Sequence, residues 1–137
     1  MPFNLSDKKI LLADDSTIMR LVISLHLKRF TGAKITEAVN GREALARLTA
    51  EKFDLLLTDI NMPEMNGIEL VRHVRTGLKS EIPIVIITTK GEVKDRELGM
   101  SLGANSYITK PVSVKDLIMA VVNHLEEKKV RPRWSAK

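Results

Sequence analysis

At 137 residues, with 44% hydrophobic and 28% charged side chains, the chain has the size and composition of one globular domain with a core of its own. It contains no cysteine, which excludes disulfides, thiolate metal sites and a cysteine nucleophile and agrees with a reducing compartment. The net charge of +5 resides wholly in the last ten residues, where Lys128, Lys129, Arg131, Arg133 and Lys137 stand without an acid, so the basic footprint along a folded face that nucleic-acid binding requires is not expected.

The first nine residues lack the apolar segment of a signal peptide. The longest apolar run, Leu117 to Val122, falls far short of the ~20 residues that span a bilayer. The sequence therefore predicts a cytoplasmic protein with no membrane contact.

Apolar runs alternate with helix-period segments along the chain. Ile10 to Ala13 reads as a short buried strand ending at Asp14-Asp15. Ser16 to Phe30 reads as a helix, with Ile18, Val22 and Leu25 on one stripe and Met19, Ile23 and Leu27 beside it, stopped by Thr31-Gly32. Lys34 to Ala38 is a less apolar strand, expected at an edge, and Asn40-Gly41 opens a helix through Ala44, Leu45 and Leu48. Phe53 to Thr58 is a strand whose Leu55-Leu56-Leu57 run fits a central parallel position buried on both faces. Asp59 to Gly67 is a loop, and Ile68 to Thr76 a short helix ended by Gly77. Ile84 to Thr88 is the most β-prone segment. Gly91 to Leu102 is helical but sparse in apolar residues and weakened by Gly99. Ser106 to Thr109 is a fifth strand. Ser113 to Glu127 is the best-patterned helix, with Val114, Leu117, Ile118, Val121, Val122 and Leu125 on one face and Ser113 with Asp116 as a cap pair.

Five strand–helix pairs in succession predict an α/β fold with a doubly wound parallel sheet covered by helices on both faces. Residues 1–127 form the single domain, and 128–137 a basic tail expected to be flexible. In such folds ligands bind at the carboxyl ends of the strands. Asp14 and Asp15 follow the first strand, Asp59 the third, Thr88 and Thr89 the fourth, and Lys110-Pro111 the fifth. Three carboxylates, a hydroxyl and an ammonium thus converge on one rim.

Carboxylates so grouped repel one another unless a cation joins them. Mg²⁺, which takes one or two carboxylates and completes its shell with water and phosphate oxygens, answers that need. Lys110 adds charge and Thr88 a donor, a combination able to stabilise a transferring phosphoryl group on a carboxylate nucleophile. Taken singly, each piece has an ordinary reading: an Asp pair as a helix cap, Asp59 as a turn residue, Thr88 as β propensity, Lys-Pro as a solvated turn. Their conjunction at the ends of different strands outweighs those readings.

With Asp14-Asp15, the run Asp59-Ile-Asn-Met-Pro-Glu-Met-Asn-Gly67, Thr88 and Tyr107-Ile-Thr-Lys110-Pro111, the chain resembles a response-regulator receiver domain of the stand-alone chemotaxis-receiver type from about Lys8 to Glu127. The resemblance implies a flavodoxin-like (βα)₅ fold with strand order 2-1-3-4-5. It implies Asp59 as phosphoacceptor, Asp15 as direct Mg²⁺ ligand with Asp14 acting through water, and the Asn61 carbonyl as a further ligand. Lys110 would pair with the phosphoryl oxygens, its bond to Pro111 being cis, while Thr88 and Tyr107 would switch together. The donor would be a histidine kinase or a histidine phosphotransfer domain, and a downstream target would read the face of the fourth helix, fifth strand and fifth helix. No enzyme activity beyond the domain's own phosphorylation and dephosphorylation is expected.

Three positions depart from the family pattern. Thr89 replaces a usually small residue and narrows access to the site. Lys90 sits where the family tunes acyl-phosphate lifetime together with the residue at Asn61. Val112 replaces a common aromatic. His26, His73 and His124 fall within helices away from the rim, and Trp134 lies in the tail. A haloacid-dehalogenase-type phosphatase is the main competing reading, but its two aspartates stand two residues apart, whereas Asp14 and Asp15 are adjacent. A degenerate receiver would lack key residues that are all present here, and DNA binding through the tail has no folded element behind it.

Overall fold

The computed structural model describes residues 3–125. Five strands, β1 (Lys9–Ala13), β2 (Lys34–Ala38), β3 (Leu55–Asp59), β4 (Ile84–Thr88) and β5 (Ser106–Thr109), alternate with five helices, α1 (Thr17–Thr31), α2 (Gly41–Ala50), α3 (Gly67–Arg72), α4 (Val93–Leu102) and α5 (Val114–Leu125). All strand pairs are parallel, in the order β2-β1-β3-β4-β5, so the expected sheet is the observed one and β2 lies at an edge.

The alternation of side chains along each strand divides the core between the two sheet faces. Ile10, Leu12, Leu55, Leu57, Val85 and Ile87 meet Ile23 and Leu27 of α1 and Leu117 and Val121 of α5. On the other face, Leu11, Leu56, Ile84 and Ile86 meet Ala44 of α2 and Ile68, Leu70 and Val71 of α3. β3 and β4 are buried along their whole length, as their unbroken apolar runs require.

Register sets the rim. Ala13 pairs with Thr58, Asp59 with Ile87, and Thr88 with Thr109, so β1, β3, β4 and β5 end level with one another. Past the strand ends, the Asp14 amide donates to the Ala38 carbonyl (3.1 Å) and the Lys110 amide to the Thr88 carbonyl (2.7 Å), which keeps both residues on the same edge.

Several sequence expectations change. In α1 the buried stripe is the one through Ile23 and Leu27, while Ile18, Val22 and Leu25 are exposed. The helix is apolar over so much of its circumference that periodicity could not choose the inward face; packing against β1 and α5 chose it. Asp59 is the last residue of β3 rather than the first of a loop. Phe53 precedes the strand. The third helix is α-helical only to Arg72 and continues as a π-helical turn, His73–Gly77, with the Leu78 amide donating to the His73 carbonyl (2.9 Å). Arg75 within this turn donates to the carbonyls of Ser80 and Gly103 and to the Asn105 side chain, anchoring it to the loop before β5.

α4 is loosely seated: Gly99 is its one buried residue, and Val93 and Leu98 are exposed. Gly99 also has a packing role beyond weak propensity, since a Cβ there would lie 2.4 Å from Ile86 Cδ1. α5 buries the predicted face, and the Asp116 amide donates to Ser113 Oγ (3.0 Å). The continuation of that helix to Glu127, and the tail at 128–137 with Trp134, lie outside the described residues.

Candidate functional site

Asp14, Asp15 and Asp59 bring carboxylate oxygens within 4.8 Å of one another at the rim. Asp14 is buried at the turn into α1. Its Oδ1 accepts from the Ser16 amide (2.8 Å), and Ser16 in turn caps α1 by accepting from the Met19 amide (3.2 Å). Arg20, one turn into α1, donates to the Asp14 carbonyl (2.7 Å) and pairs with Glu37 (3.1 Å). Asp15 is exposed. Asp59 is only 5% exposed; its Oδ1 accepts from the Ile60 amide (2.9 Å) and lies 3.2 Å from Lys110 Nζ.

The loop after Asp59 is held by Gly67. Its amide donates to the Ile60 carbonyl (2.8 Å), and a Cβ in its place would lie 2.1 Å from the Asp59 carbonyl oxygen. Only glycine lets the start of α3 approach the end of β3 so closely. Asn66 and Glu69 then close a capping box at the helix start.

Burial is the main reason the Asp14 and Asp59 carboxyls both titrate above the ordinary aspartate value. The neighbouring carboxylate adds to the rise in each, Asp15 for Asp14 and Asp14 for Asp59, while Lys110 and a backbone amide oppose it. Lys110 alone therefore leaves negative charge in surplus. Asp14 Oδ2 is moreover buried without a hydrogen-bond partner, a costly state for a carboxylate oxygen. An orphaned buried oxygen within a three-carboxylate cluster fits a hard cation, and these residues can hold a metal ion.

The remaining sequence-predicted residues are distributed around this cluster. Thr88 is buried at the end of β4. Lys110 stands beside Asp59, and its bond to Pro111 is cis, as the resemblance implied. Tyr107 is half-exposed on the outer side of β5, with the Arg96 guanidinium 4.6 Å from its ring centre. Asn61, Thr89 and Lys90 are exposed at the rim. Val112 packs against the α1–α5 side of the core. The histidines stay outside the carboxylate cluster: His26 lies near Phe30, His73 is exposed, and His124 meets Ser106 Oγ.

Sequence reasoning missed Glu92. Its Oε1 accepts from Thr88 Oγ1 (3.1 Å) and from the Thr89 amide (2.7 Å), and Asn61 Nδ2 donates to its Oε2. The signal was present as Thr89-Lys90-Gly91-Glu92, the spacing at which a Glu reaches back to the amide three residues earlier.

The family model for the response regulator receiver domain matches residues 10–122. The chemotaxis protein CheY1 of Helicobacter pylori is 43% identical over 105 residues, covering 75% of this chain and 85% of that protein. The transcriptional regulatory protein ResD of Bacillus subtilis is 38% identical over 116 residues, covering 85% of this chain but only 47% of that protein. Among solved structures, the chemotaxis response regulator CheY4 of Vibrio cholerae superposes with a TM-score of 0.79 at 33% identity, covering 86% of this chain and 98% of that one. The strand order, the acidic rim and these matches agree, and the chain belongs to the response regulator receiver domain family.

Proposed function

We propose that this chain is a phosphorylation switch of two-component signalling in which Asp59 accepts a phosphoryl group from a phosphohistidine donor. The observation that carries this reading is the Asp59 carboxylate, buried at a strand end, beside both Lys110 and two further carboxylates. A Mg²⁺ held by Asp14, Asp15, Asp59 and the Asn61 carbonyl would supply the positive charge that the phosphoryl oxygens need. An Asp59 oxygen attacks phosphorus, the P–N bond to the donor imidazole breaks, and a mixed carboxylic–phosphoric anhydride forms. The Lys110 ammonium remains against the phosphoryl oxygens and offsets charge that burial would otherwise penalise. Such a domain turns over only its own phosphoryl group and is not an enzyme acting on an external substrate.

The surfaces around the site support two partners. Ile18, Leu21, Val22 and Leu25 of α1 form an exposed apolar strip next to the rim, where a helical kinase or phosphotransfer domain can dock with its phosphohistidine facing Asp59. Tyr107 and Met119 are exposed beside a groove of about 570 Å³ between β5 and α5, placed to engage a downstream target. Weak seating of α4 makes it the element whose equilibrium phosphorylation shifts.

Intact-mass measurement after incubation with acetyl phosphate tests the reading. A gain of one phosphoryl group that requires Mg²⁺ and disappears in Asp59→Asn is expected. Absence of any gain in the wild-type protein would overturn it in favour of a receiver that acts without phosphorylation.

A further inference from the structure

Resting on the phosphoacceptor reading of Asp59, we infer that Glu92 is a positioning residue: it clasps the Thr88 hydroxyl and the Asn61 amide in the unphosphorylated state and thereby links the start of α4 to the chemical state of Asp59. One carboxylate joins three segments. Oε1 takes the Thr88 hydroxyl from the end of β4 and the Thr89 amide from the following turn, and Oε2 takes the Asn61 side chain from the loop after β3. The Glu92 amide donates back to the Thr89 carbonyl (3.1 Å), closing the turn over Lys90 and Gly91.

A threonine hydroxyl has a single proton to donate. Thr88 Oγ1 has two acceptors in reach, the Thr89 carbonyl at 3.2 Å and the Glu92 carboxylate at 3.1 Å, and the charged acceptor makes the stronger bond. A phosphoryl group on Asp59 would need the same proton. It would also bring negative charge towards the Glu92 carboxylate and offer Asn61 Nδ2 a competing acceptor. Phosphorylation and the clasp therefore exclude each other. Glu92 immediately precedes α4, a helix with Gly99 as its one buried residue, so its release frees the helix that has the least packing to lose. Clasp opening is thus a cost that phosphoryl uptake must overcome, and removing it should speed uptake.

The test uses the full chain as wild type, Glu92→Ala, Glu92→Gln, Thr88→Val and Thr88→Val/Glu92→Ala. Amide exchange at Thr89 is read by NMR without phosphodonor, and phosphoryl uptake from acetyl phosphate with Mg²⁺ by intact mass. Glu92→Ala should speed Thr89 exchange and phosphoryl uptake each by about tenfold, the scale of losing one hydrogen bond to a charged acceptor. In the Thr88→Val background the same change should give a smaller gain, because only the Asn61 bond and the Glu92 charge are then left to release. Glu92→Gln, which keeps an acceptor oxygen without the charge, should retain most of the Thr89 protection and show a smaller gain, and it serves if alanine unsettles α4. Unchanged uptake in Glu92→Ala, or an equal gain in the Thr88→Val background, would reduce Glu92 to a brace of the turn and overturn the inference. Failure of the wild type to take up phosphoryl would instead strike the phosphoacceptor reading, leaving the Asn61 side-chain amide signals in the same NMR spectra, which Glu92→Ala should shift and loss of a mere turn brace would not, to judge the clasp.

Discussion

Lys110 Nζ stands 3.2 Å from Asp59 Oδ1, a contact between the residue after β5 and the last residue of β3 that exists because β4, lying between them, holds both strand ends level. It is the positive charge placed directly on the buried Asp59 carboxylate. Lys110→Met should slow phosphoryl uptake at Asp59 by tenfold or more, about the effect of removing one preorganised charge from a transfer site. It should also destabilise the metal-free protein by about 1–2 kcal/mol, less than for a fully buried pair because the lysine is partly exposed. Intact-mass kinetics and urea unfolding check the two parts; unchanged uptake would remove Lys110 from the reaction.

Asp14 should respond in the opposite sense. Its orphaned Oδ2 and the carboxylates around it penalise the metal-free fold at neutral pH. Asp14→Asn should therefore stabilise the metal-free protein by about 1–3 kcal/mol while abolishing the rise in melting temperature on adding Mg²⁺. A destabilised variant that still responds to Mg²⁺ would show that the cluster does not hold the cation.

The raised pKa values of Asp14 and Asp59 fix the direction of pH effects. A carboxyl with a folded-state pKa above its unfolded value contributes stability below the unfolded value, and that contribution is lost as pH rises through the folded pKa. Metal-free stability should fall across that window and Mg²⁺ affinity should rise across it, as the ligands ionise. Titrating Mg²⁺ at a series of pH values by isothermal titration calorimetry checks this. Affinity that weakens with rising pH would contradict it.

Gly67→Ala should lower stability by about 2–4 kcal/mol, because the new Cβ meets the Asp59 backbone oxygen and nothing flexible can yield. The same strain displaces the acceptor, so phosphoryl uptake should fall along with the midpoint of unfolding. An alanine variant of wild-type stability would show that the loop relaxes freely.

Much of the fold was legible because its determinants are local. The apolar runs of β1, β3 and β4 identify buried parallel strands, and the charged or hydroxyl residue at the carboxyl end of each run identifies the rim. Asp14, Asp15, Asp59, Thr88 and Lys110 could be placed together before any coordinates, since strand ends in a parallel sheet lie on one edge. The sequence also settled the absence of cysteine chemistry and the confinement of excess charge to the last ten residues. Tertiary structure decided what local pattern leaves degenerate. It chose which stripe of α1 faces the core, since two apolar stripes satisfy the same period. It turned the end of the third helix into a π-helical turn, where Arg75 reaches the Gly103 carbonyl 28 residues further along the chain. It also brought Glu92 onto Thr88 and Asn61, because a hydrogen bond between residues 31 apart depends on how the β3–α3 and β4–α4 loops meet in space, which no periodicity records.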